Sequence, residues 1–105
     1  RPIQPPNLLA EAGVDISGPL PSRRFDDATL AKIAAASVTV RCECPHHMVD
    51  LISSLAAFES YSAECEVRSV DDAALHAFLH TATAHARALL EAGLARVIEA
   101  DGIDV

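Results

Sequence analysis

The residue types best suited to chemistry are concentrated in one hexapeptide of this 105-residue chain, Cys42-Glu43-Cys44-Pro45-His46-His47. Thiolates and imidazoles are the ligands that zinc and other soft transition metals prefer. A helix starting after Cys44 would also favour the thiolate form through the partial positive charge of its amino end. We therefore take Cys42, Cys44, His46 and His47 as candidate metal ligands, with oxidant sensing by the thiols as a related interpretation.

The residues leading into the hexapeptide favour a structural role for both thiols. Hydrophobic and polar residues alternate along residues 38–44, which predicts a short extended segment with one buried side. Cys42 and Cys44 would lie on that side, where cysteine commonly acts as a small hydrophobic residue. The Cys-x-Cys spacing is also unusual for zinc, so we favour core thiols over zinc or any other cofactor.

The remaining thiol and a pair of histidines are weaker candidates. Cys65 lies about 30 Å along a helix from Cys44, so the two cannot share a site unless a second chain brings them together. We expect Cys65 to be a buried core residue. His76 and His80 are spaced i, i+4 and could chelate a metal, but a polar stripe beside the core is the favoured interpretation.

The sequence offers little for catalysis. It contains no glycine-rich phosphate loop, no Gly-x-Ser-x-Gly elbow and no arrangement typical of a Ser/His/Asp triad. Acidic residues such as Asp72, Glu91 and Asp101 are interpreted as solvated helix faces and caps. We therefore expect a protein that is not an enzyme.

Composition restricts the class of protein further. The net charge is −7 and 50% of the residues are hydrophobic, which argues against disorder and against direct binding to nucleic acid or an anionic membrane. An odd number of cysteines, three, argues against a disulfide scaffold and favours a reducing cytoplasm. No apolar run approaches the roughly 20 residues needed to cross a bilayer.

The chain divides into three parts. Residues 1–23 hold five of the six prolines and are predicted to be a linker, and a start at Arg1 leads us to expect a piece of a longer chain. Residues 24–102 are predicted to form one helical domain, followed by a tail at residues 103–105. Helices are predicted at residues 26–36, 45–65 and 70–100.

The two longer helices should form an antiparallel hairpin, because their connection is short. The predicted core stripe of the second helix is Met48, Leu51, Ile52, Leu55, Phe58, Ser62 and Cys65. That of the third helix is Leu75, Leu79, Ala82, Ala86, Leu89, Gly93 and Val97. The third helix would overhang a lone hairpin, so we predict an all-α fold completed into a bundle by a homodimer.

Several strings in this domain resemble the C-terminal region of a group of proteobacterial MerR-type transcriptional regulators. The strings are Arg24-Phe25-Asp26-Asp27, Cys42-Glu43-Cys44-Pro45 and Phe58-Glu59-Ser60-Tyr61-Ser62-Ala63-Glu64-Cys65. The resemblance covers about residues 24–102. It implies a dimerisation and signal-input (effector) domain of a cytoplasmic regulator that contacts DNA only through a helix-turn-helix absent from these residues. Alternatives are a metal or redox sensor and a small-molecule-binding helical bundle.

Overall fold

The computed structural model describes residues 18–36, 43–68 and 70–104, apart from the side chains of Glu66 and Arg68. Three helices fill most of these ranges: α1 (Asp27–Ala36), α2 (Cys44–Arg68) and α3 (Ala73–Asp101). The described ranges contain no strand, and the all-α prediction is confirmed. Most of the predicted linker, and residues 38–42 of the segment predicted to be extended, lie outside the described residues.

The first helix begins where an aspartate can cap it. Asp26 Oδ1 accepts a hydrogen bond from the backbone N–H of Thr29 at 2.8 Å, and the Asp26 carbonyl accepts one from Leu30 at 2.9 Å. The side chain therefore satisfies an amide that has no partner within the helix. Leu30 and Ile33 then lie three residues apart and are both buried, so α1 has one core-facing stripe.

The second helix has 25 residues and begins with Cys44. Pro45 follows in the first turn, where a missing N–H costs nothing, and it is fully buried. Val49 and Ile52 continue the buried stripe. The predicted helix at residues 45–65 is therefore present and is slightly longer at both ends.

The third helix has 29 residues and ends in a glycine cap. Gly102 adopts a left-handed conformation with φ of 66°, which a residue with a Cβ rarely adopts. The N–H of Ile103 donates to the carbonyl of Ile98 at 3.0 Å, and that of Gly102 to Glu99 at 3.4 Å. This pair of bonds is a Schellman motif, and it turns Ile103 into a buried position.

The two long helices pack together as an antiparallel hairpin, and α1 packs against α2. One cluster joins the three elements: Phe25, Leu30, Ile33, Val49, Ile52 and Leu94. This cluster lies near the amino end of α2 and the carboxyl half of α3. Within the described residues no helix is both long and apolar enough to cross a membrane.

The predicted core stripe of α3 is wrong at its two exposed leucines, and its other residues are half-buried. The structure buries a neighbouring stripe instead: Thr83, Ala84, Arg87, Glu91 and Leu94. Leu75 and Leu89, which were predicted to face the core, are 43% and 67% exposed. The physical reason is that Arg87 and Glu91 neutralise each other and accept or donate hydrogen bonds on every side, as described below, so this stripe can be buried. On α2, Ile52 and Ser62 are buried as predicted, but Leu51 and Phe58 are exposed.

Candidate functional site

The structure places Cys44 in solvent rather than in the core. Cys44 is the first residue of α2 and is exposed, so the prediction that its thiol faces the core is wrong. The helix begins one residue earlier than expected, and its geometry replaces the two-residue alternation on which that prediction rested. Cys42, the second candidate thiol, lies outside the described residues.

The two histidines that follow are also exposed. His47 Nε2 lies 3.8 Å from Glu43 Oε1, and the rings of His46 and His47 are 6.3 Å apart. Among the described residues, no three His, Cys, Asp or Glu side chains are grouped so that they could hold a metal ion.

The other candidate residues lie along the hairpin. Cys65 on α2 and the i, i+4 pair His76 and His80 on α3 are each half-buried. His85 is half-buried as well, and its Nε2 atom is shielded from solvent without a hydrogen-bond partner. These positions suit the polar stripe beside the core that the sequence predicts for His76 and His80.

The most highly organised polar group is one that the sequence pattern did not reveal. Arg87 on α3 is 1% exposed, and each of its five N–H donors has an acceptor. Nε and Nη2 donate to the two carboxylate oxygens of Glu59 on α2, at 2.5 and 3.1 Å. Nη1 donates to Glu91 Oε1 at 2.7 Å and to the carbonyl of Ser22 at 3.1 Å, while Nη2 also donates to the carbonyl of Pro21 at 2.7 Å.

Glu91 extends this network to the residues before α1. Its Oε1 atom is bonded to Arg87, and its Oε2 atom accepts hydrogen bonds from the backbone N–H groups of Arg24 at 2.9 Å and Phe25 at 3.2 Å. Glu91 is 1% exposed, so its assignment to a solvated helix face is wrong. An isolated carboxylate would be costly to bury, but this one has a cation and two amides as partners.

The electrostatics of the network favour a permanently charged centre. The hydrogen bond and charge of Glu59, with a further contribution from Glu91, raise the pKa of Arg87 against the opposing effect of burial. The guanidinium therefore stays protonated, and its planar donor set fixes two carboxylates and two carbonyls in place. The arrangement contains no activated nucleophile, so its chemistry is structural: it holds three segments of chain together.

One signal for this network is visible in the sequence. Arg87 and Glu91 are spaced i, i+4, which places them side by side on a helix. Their third member, Glu59, lies 28 residues from Arg87, so local spacing could not reveal the complete network. A charged pair on an otherwise small-residue stripe is the feature that would have indicated burial.

A second feature is an apolar surface on the hairpin. On α2, Leu51, Leu55 and Phe58 lie within about 60° of one another at 100° per residue, and Leu51 is 53% exposed. On α3, the matching stripe lies about a third of a turn from the buried stripe. The apolar face, as we call the two stripes together, comprises Leu51, Leu55, Phe58, Leu75, Ala82, Ala86 and Leu89.

Two observations bear on where the stripes lie on the hairpin. Gly93 lies about one turn beyond Leu89 on the same side of α3, and a Cβ at this position would lie 3.1 Å from Cε of Met48 on α2, so this side of α3 borders α2. Val49, which packs in the cluster with α1, lies on the opposite side of α2 from Phe58.

Comparison of the chain with protein-family models, with curated proteins and with solved structures gave no match.

Proposed function

We propose that residues 24–102 are the dimerisation and signal-input domain of a cytoplasmic MerR-type transcription regulator, and that the domain itself does not bind DNA. The MerR part of this proposal rests on the sequence resemblance described above. The dimerisation part rests on the apolar face. The net charge of −7 supports the assignment of DNA contacts to a different part of a regulator.

The observation that carries the proposal is that α3 buries two charged residues and exposes two leucines, the reverse of the usual arrangement. The stripe of α3 that contains Arg87 and Glu91 is buried, whereas Leu75 and Leu89 of the neighbouring stripe are exposed. A contiguous exposed apolar surface on a small domain is typical of an interaction site. The face is most easily explained if another surface covers it.

A second copy of the same chain fits this face best. The face is about 20 Å long from Leu75 to Leu89 and about 20 Å wide across two helices, so a dimer would bury about 800 Å² in total, an area typical of a weak interface. Its two stripes contain no charged residue, so two chains of net charge −7 can meet there without placing like charges together. A strongly basic partner would find no acidic side chain on it.

The test is analytical ultracentrifugation of the chain at concentrations from about 1 to 100 µM in order-of-magnitude steps, comparing the unaltered protein with Leu89→Glu. Leu89 is 67% exposed, so the substitution leaves the fold of the single chain intact. Val70→Glu is the matched control, because Val70 is 88% exposed and lies at the hairpin connection, off the face. We expect the unaltered chain and the control to dimerise and Leu89→Glu to remain monomeric.

Two outcomes would contradict the proposal. A chain that stays monomeric at the highest concentration excludes dimerisation through any surface. A dimer that survives both Leu89→Glu and Leu51→Glu excludes the apolar face as the interface. Circular dichroism on the same samples establishes that each variant keeps its helical content.

A further inference from the structure

The residues immediately before α1 are attached to the hairpin in an unusual way. We call residues 20–25 the strap. Its contacts with Arg87 and Glu91 are made through the backbone: the carbonyls of Pro21 and Ser22 accept from Arg87, and the amides of Arg24 and Phe25 donate to Glu91. The strap side chain that reaches the core is the Phe25 ring, which is 8% exposed.

The remaining strap side chains contribute less. Leu20 is 50% exposed, and Ser22, Arg23 and Arg24 are also exposed. Opening the strap would therefore break four hydrogen bonds and expose one aromatic ring. It would leave the packing of α2 against α3 unchanged.

The Arg87 network can survive without the strap. If the strap leaves, Arg87 keeps both bonds to Glu59 and its bond to Glu91, so the guanidinium still has two carboxylates as partners. Two guanidinium N–H groups and one carboxylate oxygen would then be exposed to water, which can hydrogen-bond them. The network is thus satisfied both with the strap docked and with the strap open, which is the requirement for a two-state element.

We propose that the strap is a conformational latch: it docks on and leaves the Arg87–Glu91 pair as a unit, and so couples the preceding chain to the hairpin. A displacement of the residues before Leu20 would first break the hydrogen bonds between Arg87 and the strap carbonyls. The apolar face plays no part in this step, so the latch does not depend on dimerisation.

Native-state hydrogen exchange of the full 105-residue chain tests the latch without any substitution. We expect the amides of Arg24 and Phe25 to exchange through one shared opening, with protection factors equal to each other. These factors should be at least about tenfold below that of Leu94 in the core, because local openings require less free energy than global unfolding. Equal protection of Phe25 and Leu94 would mean that the strap opens only when the whole domain unfolds, and would overturn the proposal.

Limited proteolysis gives an independent test. Trypsin can cut after Arg23 in the strap and after Arg96 in α3, both exposed, so one digest reports strap opening and unfolding of the hairpin separately. Phe25→Ala should accelerate cleavage after Arg23 at least about tenfold while cleavage after Arg96 changes little. Ile103→Ala, which truncates a buried side chain beyond the carboxyl end of α3 and outside the strap, should change the ratio of the two rates little. Equal acceleration at both bonds in Phe25→Ala would overturn the proposal.

Discussion

Arg87 and Glu59 face each other across the hairpin and are joined by two parallel hydrogen bonds, Nε to Oε2 at 2.5 Å and Nη2 to Oε1 at 3.1 Å. This fork joins α3 to α2 at a level where small residues, Ser62 and Ala84 among them, let the helices come close. Because both ends of the pair are planar, the contact fixes the relative rotation of the helices as well as their spacing.

Removing Glu59 should therefore be strongly destabilising. Glu59→Ala leaves the buried Arg87 with one carboxylate, and we expect the free energy of unfolding to fall by about 3 kcal/mol, the lower end for a broken buried pair because Glu59 is 13% exposed. Urea denaturation measures this. Arg23→Ala is the control: it removes the exposed Arg23–Asp27 pair, at 3.0 Å, and should change stability by less than about 0.5 kcal/mol. Equal effects of the two substitutions would show that the Arg87 network contributes no more than a surface pair.

Removing all three charges of the network should lower the free energy of unfolding less than removing the Arg87 charge alone. The triple variant Glu59→Gln, Arg87→Met, Glu91→Gln removes all three charges with little change in volume, and the amide introduced in place of the Glu91 carboxylate keeps an oxygen for the strap amides. We expect it to be more stable than Arg87→Met alone by about 1–3 kcal/mol, because the single variant leaves two carboxylates buried without their cation. Urea denaturation compares the two variants. If Arg87→Met is the more stable, the burial of unpaired carboxylates is not the main reason that this substitution destabilises the chain.

Gly93 offers a test of the contact between α2 and α3. Alanine there gains up to about 1 kcal/mol of helix propensity, and its Cβ would lie 3.1 Å from Met48 Cε, the flexible end of a side chain that can move by a few tenths of an ångström. We therefore expect Gly93→Ala to stabilise the chain slightly and Gly93→Leu to destabilise it by about 1–3 kcal/mol through overpacking. Thermal unfolding of both variants at one protein concentration decides this, and stabilisation by leucine would show that the helices are not in contact at this position.

The cap of α1 predicts a specific pH dependence. The hydrogen bonds from the Thr29 hydroxyl and then the Thr29 amide lower the pKa of the Asp26 carboxyl from its ordinary value of 3.8. The unfolded chain therefore takes up this proton more readily than the folded chain. The stabilisation from ionised Asp26 is complete above the ordinary pKa and is lost as the pH falls through the lower, folded value.

Asp26→Asn isolates that contribution, because asparagine keeps a capping oxygen but does not titrate in this range. The stability difference between the unaltered chain and Asp26→Asn should be constant from about pH 7 to about pH 5 and should move in favour of Asn below about pH 4. All other carboxyl groups cancel in this difference, which urea denaturation at each pH measures. A difference that stays constant down to about pH 2 would contradict the cap.

Salt should strengthen the proposed dimer. Each chain carries a net charge of −7, and the apolar face contains no ion pair to be weakened. Screening of the repulsion between two acidic chains should lower the dissociation constant several-fold as the ionic strength rises from about 0.05 to 0.5 M. Sedimentation equilibrium at the two salt concentrations measures this, and weaker association at high salt would indicate an interface made by ion pairs instead.

Much of the fold could be predicted because its signals are local. Asp26 marks the start of α1 and Gly102 the end of α3, and both act through backbone groups within a few residues. The two long helices and their antiparallel pairing follow from apolar spacing and a short connection. The predicted start of α3 is three residues too early, because residues 70–72 form a bend and turn before Ala73.

The buried face of α3 could not be predicted in the same way. Hydrophobic spacing selects the most apolar stripe, and here that is the stripe through Leu75 and Leu89, which the structure leaves exposed. Burial of Arg87 depends on Glu59 and on carbonyls at residues 21 and 22, all far away in the sequence. Likewise, the period-two pattern ending at Cys44 gave no indication that this residue already belongs to a helix.

The way in which the strap is held also bears on how this sequence can evolve. Arg87 and Glu91 bind the carbonyls and amides of the strap. This contact therefore places little selective constraint on the side chains of Ser22, Arg23 and Arg24. Homologues should therefore vary freely at these positions while retaining Glu59, Arg87 and Glu91 together. A lineage that lost one of the three charges would be expected to lose the others soon afterwards.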